Sequence, residues 1–162
     1  EKGLAGIKVF WQFDDMFSAM IAGDHDRDMD GQLSKDEVAQ IKKTAFSYIA
    51  EYEYFVFVTI DAKPFKVQYI KDFNARLIQG KLIYEFFIPC HVAAGSRFKT
   101  IKIATYDPGY YSAIYFVENR PFTLLNSERF KASGRIEMDR ETWIFHDTVN
   151  PWTLFVKFAL TP

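Results

Sequence analysis

The residues best equipped for chemistry sit in one dozen, "DRDMDGQLSKDE", from Asp26 to Glu37. Asp26, Asp28 and Asp30 hold its positions 1, 3 and 5, and Gly31 follows at position 6, where the chain must turn sharply. Gln32 at position 7 offers a backbone carbonyl, Ser34 at position 9 acts directly or through a water, and Glu37 at position 12 can give both oxygens. This is the ligand order of an EF-hand loop. Starting the register at Asp24 would put Met29 where glycine is needed, which excludes it. Four carboxylates and a carbonyl suit Ca2+, which takes six to eight oxygens in loose geometry. Without a cation they repel one another, so the loop is expected to order poorly when empty. A solvated acidic turn would account for neither Gly31 nor Glu37. Paired loops let calcium sensors cooperate, and only one is found, so the ion reads as a structural staple.

Other reactive side chains have plainer readings. Cys90 and His91 are adjacent at the end of an expected strand, where neighbouring side chains point apart and chelate poorly, even with His25 or His146. His146 neighbours Asp147, but no serine or cysteine is tied to them by motif, so no hydrolytic triad can be assembled. Asp14 and Asp15 read first as helix-start residues. "TYDPGYY" is turn chemistry flanked by Tyr106, Tyr110 and Tyr111. These tyrosines are a candidate ligand or partner surface, with the covering of a sheet end as the equal alternative.

The elements that position the loop are legible from periodicity. Residues 4–13 alternate as a strand, and Phe13, Met16, Phe17, Met20 and Ile21 then recur at helical spacing until Gly23. Leu33 at loop position 8 is placed to anchor the loop to the core. Ser34 and Glu37 form a capping box for a helix of roughly four turns, with Val38, Ile41, Ala45 and Ile49 on its inner face. From residue 53 on the pattern is β: strands are expected at 54–60, 65–70, 98–106, 112–118, 122–126, 135–139 and 152–160, and a hairpin over 74–88 turning at Gln79-Gly80. The expected fold is α+β: one domain over 1–162, mainly an antiparallel β-sandwich, with an EF-hand-like helix-loop-helix inserted at 13–50 after the first strand.

Composition bounds the rest. The chain has 162 residues, 49% hydrophobic and 18% aromatic, which is enough for a real core rich in strands. A net charge of -1 argues against nucleic-acid binding. No segment approaches the ~20 apolar residues of a membrane span. One cysteine excludes an internal disulfide and a cysteine-rich zinc site. The chain opens with Glu1 and shows no leader, which leaves a removed signal peptide open.

"GIKVFWQFDDMFSAM", the acidic loop, "DFNARLIQGKLIYEFFIP" and "YDPGYY", in that order, resemble a bacterial family of unknown function. That family is described as the periplasmic component of an uncharacterised ABC-type transport system. The resemblance implies a periplasmic location and association with a membrane permease of the nickel/cobalt-exporter type. The family carries a His-Pro-His segment in its first strand. The present chain starts downstream of it, so no transition-metal role is carried onto any residue here. The leading expectation is a non-enzymatic, calcium-stabilised accessory or solute-binding component of a transport system. A nickel, cobalt or zinc chaperone with its main ligands upstream of residue 1 is the alternative, and an enzyme is the third.

Overall fold

A computed structural model describes residues 3–161. Its contacts gather into two units. One is built from Ala5–Glu51 and Gln68–His91; the other takes the start of the chain through Leu4, Tyr52–Val67 and the chain from Val92 on.

The unit that carries the acidic loop has a three-stranded sheet in the order β1-β5-β4, made of β1 (Gly3–Gln12), β4 (Lys71–Ile78) and β5 (Lys81–Ala93). The β4-β5 hairpin closes as its sequence predicts. Ile78 pairs with Lys81, and Gln79 and Gly80 between them both have left-handed φ, 51° and 76°. Two such residues make the turn whose twist matches the strands it joins. A Cβ on Gly6 would meet Ile88 and Phe87, and Phe13 N–H donates to the Leu82 carbonyl. β1 therefore runs antiparallel to β5. Along β5 the side chains alternate, and Leu82, Tyr84, Phe86, Ile88 and Cys90 are all buried.

Helix α1 (Asp15–His25) is capped by Asp14, whose carboxylate accepts the Phe17 N–H at 2.7 Å. Asp15 pairs with Lys81 at 2.6 Å, so both acids serve the helix start. The helix does not stop at Gly23; it runs on two residues, until the Asp26 N–H makes the last bond to the Ala22 carbonyl. Helix α2 (Lys35–Ile41) starts at the Ser34–Glu37 capping box. Its α-helical part is shorter than the four turns expected. At Lys42–Phe46 it widens into a π turn, and Ser47–Phe55 tightens and then breaks at Tyr52. Glu53, Tyr54 and Phe55 have φ of 53° to 55°. The π turn inserts one residue, so Phe46 takes the inner position that straight helical spacing gives to Ala45. Phe46 is 1% exposed and packs against Phe73 at 4.3 Å, Phe86 at 5.3 Å and Tyr84 at 5.7 Å.

The Tyr84 hydroxyl is buried in this aromatic core without a hydrogen-bond partner. Burial raises its pKa, with a further push from Tyr48. An unpaired buried hydroxyl costs about 1–3 kcal/mol, so Tyr84→Phe is expected to stabilise the protein by about 1 kcal/mol in denaturant melts. A destabilised variant would mean that the hydroxyl is satisfied in solution.

The other unit holds a five-stranded antiparallel sheet in the order β3-β2-β6-β8-β7, from β2 (Val56–Ile60), β3 (Lys63–Phe65), β6 (Lys99–Thr105), β7 (Phe130–Met138) and β8 (Trp152–Leu160). Val56, Val58, Ile101, Ile103, Leu154 and Val156 bury one of its faces. The strand expected at 65–70 ends at Phe65; beyond it the Val67 N–H donates to the Glu53 carboxylate at 3.0 Å. The strands expected at 112–118 and 122–126 are absent, and the chain there is irregular. The Phe122 ring lies over Gly134 of β7, while Tyr115, Val117 and Leu125 stay exposed. Asp107 organises the start of this segment by accepting the N–H groups of Gly109 and Ser112 at 2.7 and 3.0 Å. Among the described residues, no helix is long and apolar enough to cross a membrane.

Candidate metal centre

The end of α1 and the start of α2 fix the two ends of the acidic loop. Asp26 lies just past α1 and is buried at 9% exposure. Its carboxylate accepts the Asp30 N–H at 3.2 Å and the Gly31 N–H at 3.0 Å, which folds the chain back over it. Gly31 makes that turn at φ 77°, a conformation other residues adopt only with strain. Met29, at φ 56° and 87% exposed, also turns left-handed, a feature the sequence did not announce. Asp30 in turn accepts the Gln32 N–H at 2.7 Å.

These turns converge the side chains at positions 1, 3 and 5. Carboxylate oxygens of Asp26, Asp28 and Asp30 all lie within 4.8 Å of one another. Glu37 is 7% exposed and spans the loop by hydrogen bonds. Its Oε1 accepts the Arg27 N–H at 2.8 Å; its Oε2 accepts both the N–H and the hydroxyl of Ser34 at 2.8 Å. Asp26, Asp28 and Asp30 thus come together as the spacing predicts, while Glu37 and Ser34 are engaged with each other. Sequence reasoning did not find the Arg27 N–H as the clasp between the two loop ends; backbone donors leave no residue signature.

The electrostatics follow from this geometry. The Arg27 N–H, then the Ser34 N–H and hydroxyl, hold the Glu37 carboxyl below the usual glutamate range. Asp28 is pushed the other way. Desolvation raises it first, joined by the charge of Asp30, the Asp26 carboxyl and Glu37, and the Asp30 N–H opposes them only in part. A carboxyl raised in the folded state costs stability when ionised, and that cost is relieved as pH falls. Asp28→Asn is therefore expected to raise the melting temperature in chelator slightly, while weakening calcium binding. A lower melting temperature in chelator would show that the ionised Asp28 carboxylate is not penalised in the folded loop.

The remaining sequence candidates do not gather. Cys90 is buried, with its thiol pushed up to about 11 by burial, and His91 is exposed beside it. The His25 ring meets Thr44 at 3.5 Å. His146 and Asp147 stand exposed in a left-handed turn, at φ 55° and 60°. Among the described residues, the three histidines enter no metal-sized cluster. The three tyrosines differ. Tyr106 stacks on Phe57 at 4.2 Å, Tyr110 packs against Phe145 at 4.3 Å while 72% exposed, and Tyr111 is 95% exposed. Tyr110 and Tyr111 are the two that stand largely in solvent.

No solved structure matches this chain. An "Uncharacterized 15.5 kDa protein in trpE 3'region" of Spirochaeta aurantia is 22% identical over 136 residues, covering 84% of this chain and 96% of that one. The family described as "Protein of unknown function (DUF1007)" matches residues 1–142, nearly the whole length in which the sheets and the acidic loop lie, and the chain belongs to that family.

Proposed function

We propose that the chain is a calcium-binding module of two antiparallel sheets with an EF-hand-like insertion, in which the ion at Asp26–Glu37 acts as a structural staple between α1 and α2. One observation carries the reading. Three carboxylates are held within 4.8 Å of one another by the backbone of their own loop, at the spacing that hands oxygens to a hard cation. Like charges at that range oppose ionisation, and a divalent ion reverses the sign of the interaction. The Gln32 carbonyl and Glu37 complete the donor set, Glu37 by exchanging its Ser34 and Arg27 hydrogen bonds for the ion. The same proposal places the module in the periplasm as a non-enzymatic accessory or solute-binding component beside a transport permease. That part rests on the family resemblance alone.

Calcium titration by calorimetry tests the site, with magnesium as control. The expected dissociation constant is roughly 10⁻⁵ to 10⁻³ M, in the range of weaker sensor and extracellular sites. At a hundredfold excess over that constant, binding is worth about 2.7 kcal/mol, a rise of about 5–10 °C in melting temperature. A staple should produce this rise without new binding of a hydrophobic dye. Absence of calcium heat, or dye binding that appears only with calcium, would overturn the site or the staple respectively.

A further inference from the structure

Strand β7 is the last of its sheet, with β8 on one side and, among the described residues, no strand on the other. Two bonds just beyond its ends fix which of its backbone groups face outwards. The Thr161 N–H donates to the Arg129 carbonyl at 3.1 Å, and the Asp139 N–H donates to the Pro151 carbonyl at 2.9 Å. Both continue the unbroken register of β7 on β8, so the odd-numbered residues of β7 bond to β8. Alternate residues of an antiparallel strand turn to opposite sides, so Ala132, Gly134 and Ile136 aim their N–H and C=O groups away from β8. Among the described residues these groups take no hydrogen bond. Two other edges are blunted: β3 is three residues long, and the register of β4 slips between Lys71 and Asn74. Strand β1 is long, but its single charge, Lys8, is paired with Glu85.

We propose that β7 pairs antiparallel with β7 of a second copy of this chain, about a two-fold axis at Gly134. The strand is complementary to itself in that register. Lys131 falls opposite the partner's Glu137, Ser133 opposite the partner's Arg135, and Ala132 opposite the partner's Ile136. The backbone is satisfied as well, because Ala132, Gly134 and Ile136 then stand in hydrogen-bonded pairs, the outward groups of each copy meeting those of the other. Moving the axis by one residue sets Lys131 against the partner's Arg135, or Arg135 against its own copy. Like charges directly opposite destabilise a strand pair, so charge selects the register. Lys131 and Glu137 are exposed. Glu137 holds Arg135 of its own strand through Oε1 at 2.8 Å, which leaves Oε2 for the partner's Lys131. Ala132 and Ile136 lie on the other face, the one that Leu154 and Phe158 bury. The Phe122 ring stands where a Gly134 side chain would, over that face of the sheet and not its edge. One strand pair is a small interface against the ~1,200–2,000 Å² of stable complexes, so the dimer is expected to be weak.

Sedimentation equilibrium of this chain from ~1 µM to ~1 mM, in excess calcium, tests the pairing. A monomer–dimer equilibrium is expected. Ala132→Pro removes an outward N–H and no bond to β8, and should weaken the dimer about tenfold with little change in melting temperature. Lys131→Glu and Glu137→Lys each place like charges opposite one another twice, and each should weaken it about tenfold. Mixing these two variants restores opposite charges at both places, so the mixture should associate as the wild type does. Mixing repairs no folding defect, which separates pairing from folding. The proposal fails if the wild-type chain stays monomeric over that range, the edge then being bare or open to a strand of another protein. It fails equally if a dimer forms that is indifferent to Ala132→Pro, or if the mixed variants do not associate.

Discussion

Glu37→Gln is expected to lower calcium affinity by about two orders of magnitude, read by calorimetric titration. A unit charge in contact with a divalent ion is worth about that much even at the dielectric of water. The substitution keeps the side chain's length and one carbonyl oxygen, so the loss reports charge rather than reach. It also has a signature in chelator. The Arg27 N–H and the Ser34 N–H and hydroxyl all donate to Glu37, and together they hold its carboxyl low. A folded-state pKa below the unfolded one gives stability that is present above the unfolded value, near 4.3, and is lost as pH falls through the folded value. Wild-type protein should therefore lose stability more steeply than the variant on the acid limb of a pH–melting curve. Equal calcium affinity in the two proteins would remove Glu37 from the ligand set. Equal acid limbs would remove it from the loop's hydrogen-bonded ring.

What could be read from the sequence was what is encoded locally. The Gln79-Gly80 hairpin, the Ser34–Glu37 capping box and strand β8 each rest on residues within a few positions of one another, and each stands as expected. The loop's geometry belongs to the same class, because Asp26, Asp28, Asp30 and Gly31 are brought together by their own backbone. The misreadings have a common cause in tertiary context. "SAIYFVE" and "FTLLN" have strand composition, but Asp107 captures the Ser112 N–H and the Phe122 ring settles on Gly134, and the segment pairs with no strand. Strand preference measures fit to a half-buried pleated surface, and tertiary context decides whether such a surface is there to pair with. The helix after the loop departs from straight helical spacing because a π turn leaves the apolar spacing nearly intact while moving the inner position from Ala45 to Phe46.

That displacement gives the second large expected effect. Phe46→Ala should destabilise the protein by about 3–5 kcal/mol in chelator, measured by denaturant unfolding. Phe46 is 1% exposed and touches the rings of Phe73, Tyr84 and Phe86, so its loss opens a cavity among groups that cannot easily collapse. Against a total stability of about 5–15 kcal/mol, the variant would be marginal. It is also the residue that seats the far end of the helical segment whose start carries Glu37. If calcium staples α1 to α2, a hundredfold excess over the dissociation constant should return about 2.7 kcal/mol, and the variant should fold on addition of calcium. Magnesium, which demands a tighter octahedron, should rescue it less. A variant equally unstable with and without calcium would show that ion binding is not linked to the packing of this helix, and that the loop closes without fastening anything to the core.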